Sequence, residues 1–183
     1  LERLHQQANL QEEKRLTGKS KYVVLDQIEG QGFYKIPEPN DGDLFFDIEG
    51  FPESNKRNLE YLHGLYFKEK NKDVFKFFYV KDNSRASEFL IFKELILFLK
   101  KRFNEYPDAY IYHYNDYETR ALKELASEYS AVFPEGNNLV DDLLRKQKFV
   151  DLYRVVEHTL RTSEKDLSLK SLEKFYRKER EAN

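Results

Sequence analysis

The chain of 183 residues contains no cysteine, no methionine and no tryptophan. Without cysteine it can form neither disulfides nor thiolate metal sites, and cysteine catalysis is excluded. Because even an initiator methionine is missing, we expect the sequence to be an excised or processed piece of a longer protein. No signal peptide opens the chain, which predicts a cytoplasmic location.

Long apolar runs and an excess of positive charge are missing too. No apolar stretch approaches the length that crosses a bilayer, so we predict a protein without a membrane-spanning segment. The formal net charge is -2, although 35% of the residues are charged. Proteins that coat nucleic acid are usually basic, so any contact with DNA or RNA should be local, near an acidic metal site.

The N-terminal residues are predicted to be an approach to a domain. Leu1–Leu16 has apolar residues at roughly helical spacing, and a Thr-Gly pair ends the pattern. Turn-forming residues at 37–42 then lead into an apolar run. We therefore predict a linker helix and extended lead-in over residues 1–42 and a compact domain over residues 43–183.

Hydrophobic periodicity within that domain predicts an α/β fold, in which helices flank a mixed sheet. The first three predicted strands form an antiparallel meander, at residues 44–49, 59–67 and 74–80, separated by a polar loop at 52–58 and a turn at 70–73. The later predicted elements are a helix from Ser84 or Ser87 to Phe103, a strand at 109–112, a helix at 119–129, a loop at 133–138, a helix ending near Lys148, the unassigned segment 149–156 and a helix at about 168–176.

Two acids at the end of an apolar run are the most informative feature of the sequence. Asp47 and Glu49 flank Ile48 directly after residues 44–46. Because strand side chains alternate between faces, the two acids share one face. They repel each other there, and a divalent cation with hard oxygen ligands is the usual way to neutralise them. The alternative is that the strand has ended and both carboxylates are solvated.

A second acidic motif follows the predicted strand at 109–112. Sites in α/β sheets form where strands end and connections diverge, so Glu118 is expected to face the first pair of acids. The alternative is that Asn115 and Glu118 form a capping box at the start of a helix. Asp116 is a rival ligand, but it points away from the helix face that carries Glu118.

Four ordered motifs carry a resemblance to a known family. Together they resemble the ribonuclease-H-like exonuclease domain of the predicted RecB-family nucleases, of the YprB type. The motifs are residues 42–50, 112–118, 149–156 and 168–176. The resemblance covers residues 43–176 and implies a ribonuclease-H-like mixed sheet flanked by helices.

The resemblance also implies an activity and its ligands. The family's domain is similar to the DEDD 3′-5′ exonucleases, which hydrolyse phosphodiester bonds with two Mg²⁺ or Mn²⁺ ions and water as the nucleophile. Asp47 and Glu49 match the first motif of these enzymes. Glu118 takes the place of the second-motif acid, which is usually an aspartate. Glutamate is longer by one methylene, so its metal geometry should differ.

The third DEDD motif, a Tyr or His followed by a final Asp, has no match after Tyr176. We expect that the domain is truncated at its C-terminus and that this fragment is inactive or weak, because the two-metal mechanism needs a complete set of ligands. The helix at 1–16 resembles the linker that follows a PD-(D/E)xK nuclease domain. Expected partners are therefore other domains of the parent chain, namely that nuclease or a helicase.

Several further residues have open assignments. Tyr114, Asn115 and Tyr117 are predicted to bind single-stranded or end-frayed nucleic acid, and stacking tyrosines are the reason, although Tyr117 fits a core position equally well. His113 is an auxiliary candidate as a proton carrier or a structural residue. Asp151 is an auxiliary candidate as a ligand, with a helix cap or a hydrogen bond to the backbone as its alternative.

Two functions from different classes fit these observations. The first is a metal-dependent exonuclease that acts on DNA or RNA. The second is a catalytically degenerate module that binds nucleic acid or a partner domain within a larger nuclease or helicase. A third hypothesis, a helical scaffold with incidental acids, predicts no thermal shift with Mn²⁺.

Overall fold

The computed structural model of the chain describes residues 2–52 and 57–177. The helices are α1 Glu2–Thr17, α2 Arg85–Glu105, α3 Tyr117–Glu128, α4 Pro134–Arg145, α5 Leu152–Thr159 and α6 Leu169–Leu172, with 3-10 turns at Gly32–Lys35 and Glu173–Phe175. The strands are β1 Tyr22–Val24, β2 Leu44–Phe51, β3 Leu59–Glu69, β4 Lys72–Tyr79, β5 Ile111–His113, β6 Phe149–Asp151 and β7 Leu160–Thr162.

Contacts divide the chain into two compact units. One unit is Pro37–Leu152, and the other combines Leu1–Ile36 with Tyr153–Asn183. The predicted organisation, a lead-in over residues 1–42 and a domain over residues 43–183, stays a prediction. Among helices of the described residues, none has both the length and the apolar character that a bilayer-spanning segment requires.

The central unit is built on a mixed sheet. Its described strands are ordered β4-β3-β2-β5-β6. Strands β2, β3 and β4 are antiparallel neighbours, whereas β5 runs parallel to β2 and β6 runs parallel to β5. Both the predicted antiparallel meander and the predicted α/β fold with a mixed sheet are confirmed.

Alternation along β2 determines which face of the sheet is covered. Leu44, Phe46 and Ile48 are buried, and they belong to one core cluster with residues of α2, α3 and α4. Helix α2 begins where Ser84 accepts a hydrogen bond from the backbone N–H of Ser87, which fixes its start at the first of the two predicted positions. The helices therefore pack on one face of β2.

Two predictions of secondary structure are corrected, and a third is only partly covered by the described residues. The predicted loop at 133–138 is wrong, because Pro134 begins helix α4. Proline is tolerated in the first turn of a helix, where the backbone N–H has no partner within the helix. The helix then buries Val140 and Leu143. The predicted helix at 168–176 is only α6 followed by a 3-10 turn. The predicted loop at 52–58 falls partly outside the described residues.

The second unit contains a strand pair that the sequence did not reveal. Strands β1 and β7 are antiparallel, with Val23 opposite Arg161. Beside them, hydrogen bonds from Lys14 and Lys174, each 2.6 Å long, reach the buried Glu164 carboxylate. Burial opposes ionisation of Glu164, but these hydrogen bonds outweigh it and lower the pKa to about 2.

His63 lies in the middle of β3 inside the core of the central unit. Its ring stacks on Phe46 with centroids 6.3 Å apart and an interplanar angle of 6°. Neither ring nitrogen has a hydrogen-bond partner among the described residues. Burial lowers the pKa of His63 to about 3, although Glu88 acts in the opposite direction. The imidazole is therefore neutral at physiological pH.

We expect His63 to destabilise the fold in acid. The unfolded imidazole binds a proton below its ordinary pKa of 6.5, whereas the folded one resists protonation down to about pH 3. Stability should therefore fall as the pH drops through this window, by up to about 1.4 kcal/mol per pH unit. Urea unfolding of the parent and His63→Leu proteins across pH should show a steeper loss of stability in the parent.

His5→Leu is the matched control, because His5 is exposed. Its pH profile should follow that of the parent. Parallel profiles for the parent and His63→Leu would contradict the assignment.

Candidate carboxylate site at the end of strand β2

Strand β2 presents Asp47 and Glu49 on the face opposite the core. Both residues are exposed, whereas Ile48 between them is 3% exposed. The strand continues to Phe51, so the acids do not lie beyond its end. A register shift falls between Glu49 and Gly50, directly after the second acid. The two carboxylates therefore occupy regular strand positions on one face.

Glu118 lies in the first turn of α3 and is 5% exposed. Its Oε2 atom is buried and has no hydrogen-bond partner among the described residues. The nearest recorded basic atom is Nδ1 of His113, at 3.6 Å. That distance is beyond a normal hydrogen bond. Burial of a carboxylate oxygen without a hydrogen-bond partner costs free energy, and a bound ligand at this atom would offset that cost.

The capping-box alternative for Glu118 does not occur. Asp116, not Asn115, precedes the first residue of α3, and its side chain makes no capping hydrogen bond. Asn115 has a φ of 77°, in the left-handed region that asparagine tolerates better than most residues. The tight turn after β5 therefore places Glu118 in the first turn of α3, where it does not cap the helix.

The three carboxylates are close enough to influence one another. The pKa of Asp47 is raised by desolvation, then by the charge of Glu118, and then by the charge of Glu49. The negative charges of Glu118 and Glu49 therefore disfavour the ionised form of Asp47. A divalent cation with a preference for carboxylate oxygen would reverse this effect, because it stabilises all three ionised forms.

The carboxylate oxygens have the chemistry that a hard divalent cation prefers. The unpartnered Oε2 atom of Glu118 and the mutual repulsion of the carboxylates are the two observations in favour. Within residues 2–52 and 57–177, however, no group of three or more His, Asp or Glu side chains is arranged as a preformed metal cage. The site thus has suitable ligands without a preformed geometry.

A half-buried tyrosine and a buried glutamate connect helix α3 to the strands. The Tyr117 hydroxyl donates to Oε2 of Glu60 at 3.1 Å and accepts from Nδ2 of Asn58 at 3.1 Å. A Cβ atom on Gly50 would overlap both the tyrosine hydroxyl and the glutamate carboxylate. This contact holds the first turn of α3, and with it Glu118, against the end of β2.

The remaining predicted residues line the turn between β5 and α3. The backbone N–H of Asn115 donates to Oδ1 of Asp151 at 2.9 Å, which is the backbone hydrogen bond that was the alternative role of Asp151. Nδ1 of His113 donates to the Asn115 carbonyl at 2.6 Å. Tyr114 is half-buried. These residues shape the turn, and substrate binding by Tyr114, Asn115 and Tyr117 stays a prediction.

Sequence reasoning missed two buried glutamates behind the site. Glu60 is 1% exposed, and burial raises its pKa although Tyr117 and Arg57 act in the opposite direction. Glu88 is fully buried and pairs with Arg57 at 2.6 Å and Arg85 at 3.0 Å. Burial raises the pKa of Glu88, but hydrogen bonds from Arg57 and Tyr129 outweigh it. The available signal was the helical spacing of Glu88, which places it among apolar residues.

Gly50→Ala should destabilise the protein, because the added methyl group would displace the Tyr117 hydroxyl and the Glu60 carboxylate. We expect a loss of about 1–3 kcal/mol, as for other overpacked sites. Gly64→Ala is the matched control, since its nearest neighbour would lie at 3.8 Å. Urea unfolding should show little or no loss for the control; equal losses for the two variants would contradict the contact.

Comparison with known families agrees with the fold. A family model described as RNase_H_2, of the RNase H superfamily, matches residues 44–183, which include Asp47, Glu49 and Glu118. Comparisons with curated proteins and with solved structures find no match. Domains of this superfamily are generally nucleases that use divalent metals. The chain, with its mixed sheet flanked by helices, belongs to the ribonuclease H superfamily.

Proposed function

We propose that the chain is a metal-dependent nuclease domain that hydrolyses phosphodiester bonds of DNA or RNA. The observation that carries the proposal is the buried, unpartnered Oε2 atom of Glu118, whose charge, with that of Glu49, raises the pKa of Asp47. The resemblance to DEDD enzymes extends the proposal to a 3′-5′ exonuclease that uses two Mg²⁺ or Mn²⁺ ions. Single-stranded or end-frayed nucleic acid is the proposed substrate.

In this proposal, Asp47, Glu49 and Glu118 hold the metal ions. Bound ions would supply activation of the attacking water and stabilisation of the leaving oxygen. The carboxylates also keep the sheet face negative in the absence of ions, which repels phosphate until cations are present. The fourth carboxylate that a DEDD site requires is not assigned, and Asp151 remains an auxiliary candidate.

His113 has a defined auxiliary role in the proposal. Its Nδ1 atom carries a hydrogen, because the Asn115 carbonyl that it contacts can only accept. In the neutral ring Nε2 is therefore the nitrogen that exchanges protons. The hydrogen bond fixes the orientation of the ring, and in the proposal Nε2 is the atom through which His113 carries a proton.

A second candidate function is a binding module with a degenerate site. The lack of a preformed metal cage in the described residues favours this alternative. In that case the domain would position nucleic acid, or a PD-(D/E)xK nuclease or helicase domain of the parent chain, without cleaving. Tight binding of single strands without Mn²⁺-dependent hydrolysis would be its signature.

Asp47→Asn should abolish Mn²⁺-dependent hydrolysis of labelled single-stranded DNA or RNA, because it removes a ligand of the metal ions. Asp116→Asn is the matched control: Asp116 is exposed, lies two residues from Glu118 and should leave the rate unchanged. The rate is followed by gel separation of end-labelled products. Undiminished cleavage by Asp47→Asn would reject Asp47 as a metal ligand. Loss of cleavage only in Asp116→Asn would instead assign that role to Asp116.

Asp47→Asn should also slightly stabilise the metal-free protein, because it relieves repulsion by Glu118 and Glu49. Added Mn²⁺ should raise the melting temperature of the parent, since an ion that binds only the folded state stabilises it. The variant should lose most of that response. Calorimetric scans in EDTA and in Mn²⁺ measure both effects, and an identical Mn²⁺ shift in the two proteins would contradict the site.

A further inference from the structure

The face of the sheet that carries the acids also carries a series of aromatic rings. Tyr112, Phe45, Tyr66 and Phe75 come from the neighbouring strands β5, β2, β3 and β4. Successive ring centroids in this order are 5.2, 5.8 and 4.9 Å apart. We call these four residues the aromatic ladder. It crosses four of the five described strands, on the face opposite α2, α3 and α4.

Two more rings lie in the same rows as the carboxylates. The strand pairing places Asp47 opposite Gly64, and Gly64 opposite Phe77. It places Glu49 opposite Leu62, which is itself opposite Tyr79. Each acid therefore has an aromatic residue two strands away in its own row.

Gly64 gives the Phe77 ring room to lie towards Asp47. A Cβ atom at Gly64 would lie 3.8 Å from both the Phe77 ring and the Asp47 carbonyl oxygen. Because Gly64 has no side chain, none stands between Phe77 and Asp47 in this row. Phe77 is nevertheless 57% exposed, and Tyr79 on the same edge strand is 66% exposed.

The composition of this face argues against an apolar protein partner. The covered face of β2 uses Leu44, Phe46 and Ile48, which pack against helices. A helix placed on the opposite face would bury Asp47 and Glu49 together, and their mutual repulsion would then increase. A ligand that fits must offer flat surfaces to the rings and must approach the carboxylates through cations.

Single-stranded nucleic acid meets both requirements. Its bases stack on exposed aromatic side chains, and its phosphates share the cations that acids bind. Side chains two residues apart on a strand are about 6.8 Å apart, so bases that rest on Phe77 and Tyr79 must be separated from each other. A duplex keeps its bases paired and stacked, which excludes this arrangement.

We propose that Phe77 and Tyr79, next to the aromatic ladder on the same face, form a stacking surface for the bases of single-stranded nucleic acid. The sugar-phosphate backbone of that strand would lie at the carboxylate site. This assignment rests on the proposed nuclease function and specifies its substrate as single-stranded. It makes Phe77 and Tyr79 substrate-binding residues, on an edge strand that sequence patterns alone do not connect with Asp47.

Binding is best measured where cleavage cannot interfere. In the Asp47→Asn background, where hydrolysis is lost, and with Mn²⁺ present, fluorescence anisotropy of a labelled oligothymidylate reports affinity directly. Phe77→Leu should weaken binding by about fivefold or more, since leucine keeps apolar bulk but lacks a flat ring. Phe33→Leu is the matched control: Phe33 is 53% exposed in the other unit, and its loss should leave affinity unchanged.

A second variant tests contact directly. The chain contains no tryptophan, so Phe77→Trp introduces the only indole, with a flat ring preserved. Single strands should quench its fluorescence and bind at least as well as they bind the Phe77 protein. A duplex of the same sequence should quench it less.

Three results would overturn the proposal. They are unchanged affinity in Phe77→Leu, an equal loss in Phe33→Leu, and quenching in Phe77→Trp that depends on protein concentration without nucleic acid, which would assign the face to a second copy. Loss of cleavage in Asp47→Asn with unchanged binding in Phe77→Leu would reject the stacking surface and keep the nuclease. Retained cleavage in Asp47→Asn would instead reject the proposed carboxylate site.

Discussion

Mutual repulsion of three carboxylates is the constraint that the rest of the central unit must satisfy. Asp47 and Glu49 are fixed on one face of β2 because the opposite face is buried in the core. Glu118 is fixed by the tyrosine that precedes it, whose hydroxyl contacts Glu60. Helix and strand packing therefore supply the free energy that holds like charges together, a common cost of functional sites.

The buried polar residues behind the site differ in how fully they are compensated. Glu88 has two arginine partners and a tyrosine hydroxyl, so its charge is stabilised despite complete burial. His63 has no hydrogen-bond partner among the described residues and is kept neutral by burial. Glu60 is only partly compensated, because burial raises its pKa while the Tyr117 hydroxyl and Arg57 act in the opposite direction. Ionic strength should therefore matter little for Glu88, whereas proton concentration matters for His63.

Local periodicity accounts for what the sequence could predict. The shared face of Asp47 and Glu49 could be predicted from the residues next to them. The antiparallel meander and the long helix α2 could be predicted from the repeated spacing of apolar residues. The start of α4 was missed because polar residues after Pro134 concealed a helical face. The roles of Glu60 and Phe77 depend on strand register, which no single segment contains. Pairing between distant strands decides them, so they become visible only in the fold.

The two faces of β2 separate stability from chemistry, and the strand pairing keeps them separate. A slip of one residue would move Asp47 into the core and Leu44 into solvent, so the register is determined by burial. The irregularity in the ladder falls between Glu49 and Gly50, after the second acid. Both acids thus keep regular positions, while the bulge leaves Gly50 to admit the Tyr117 hydroxyl. Displacing that bulge by even one residue would disturb the acids and their helix anchor at once.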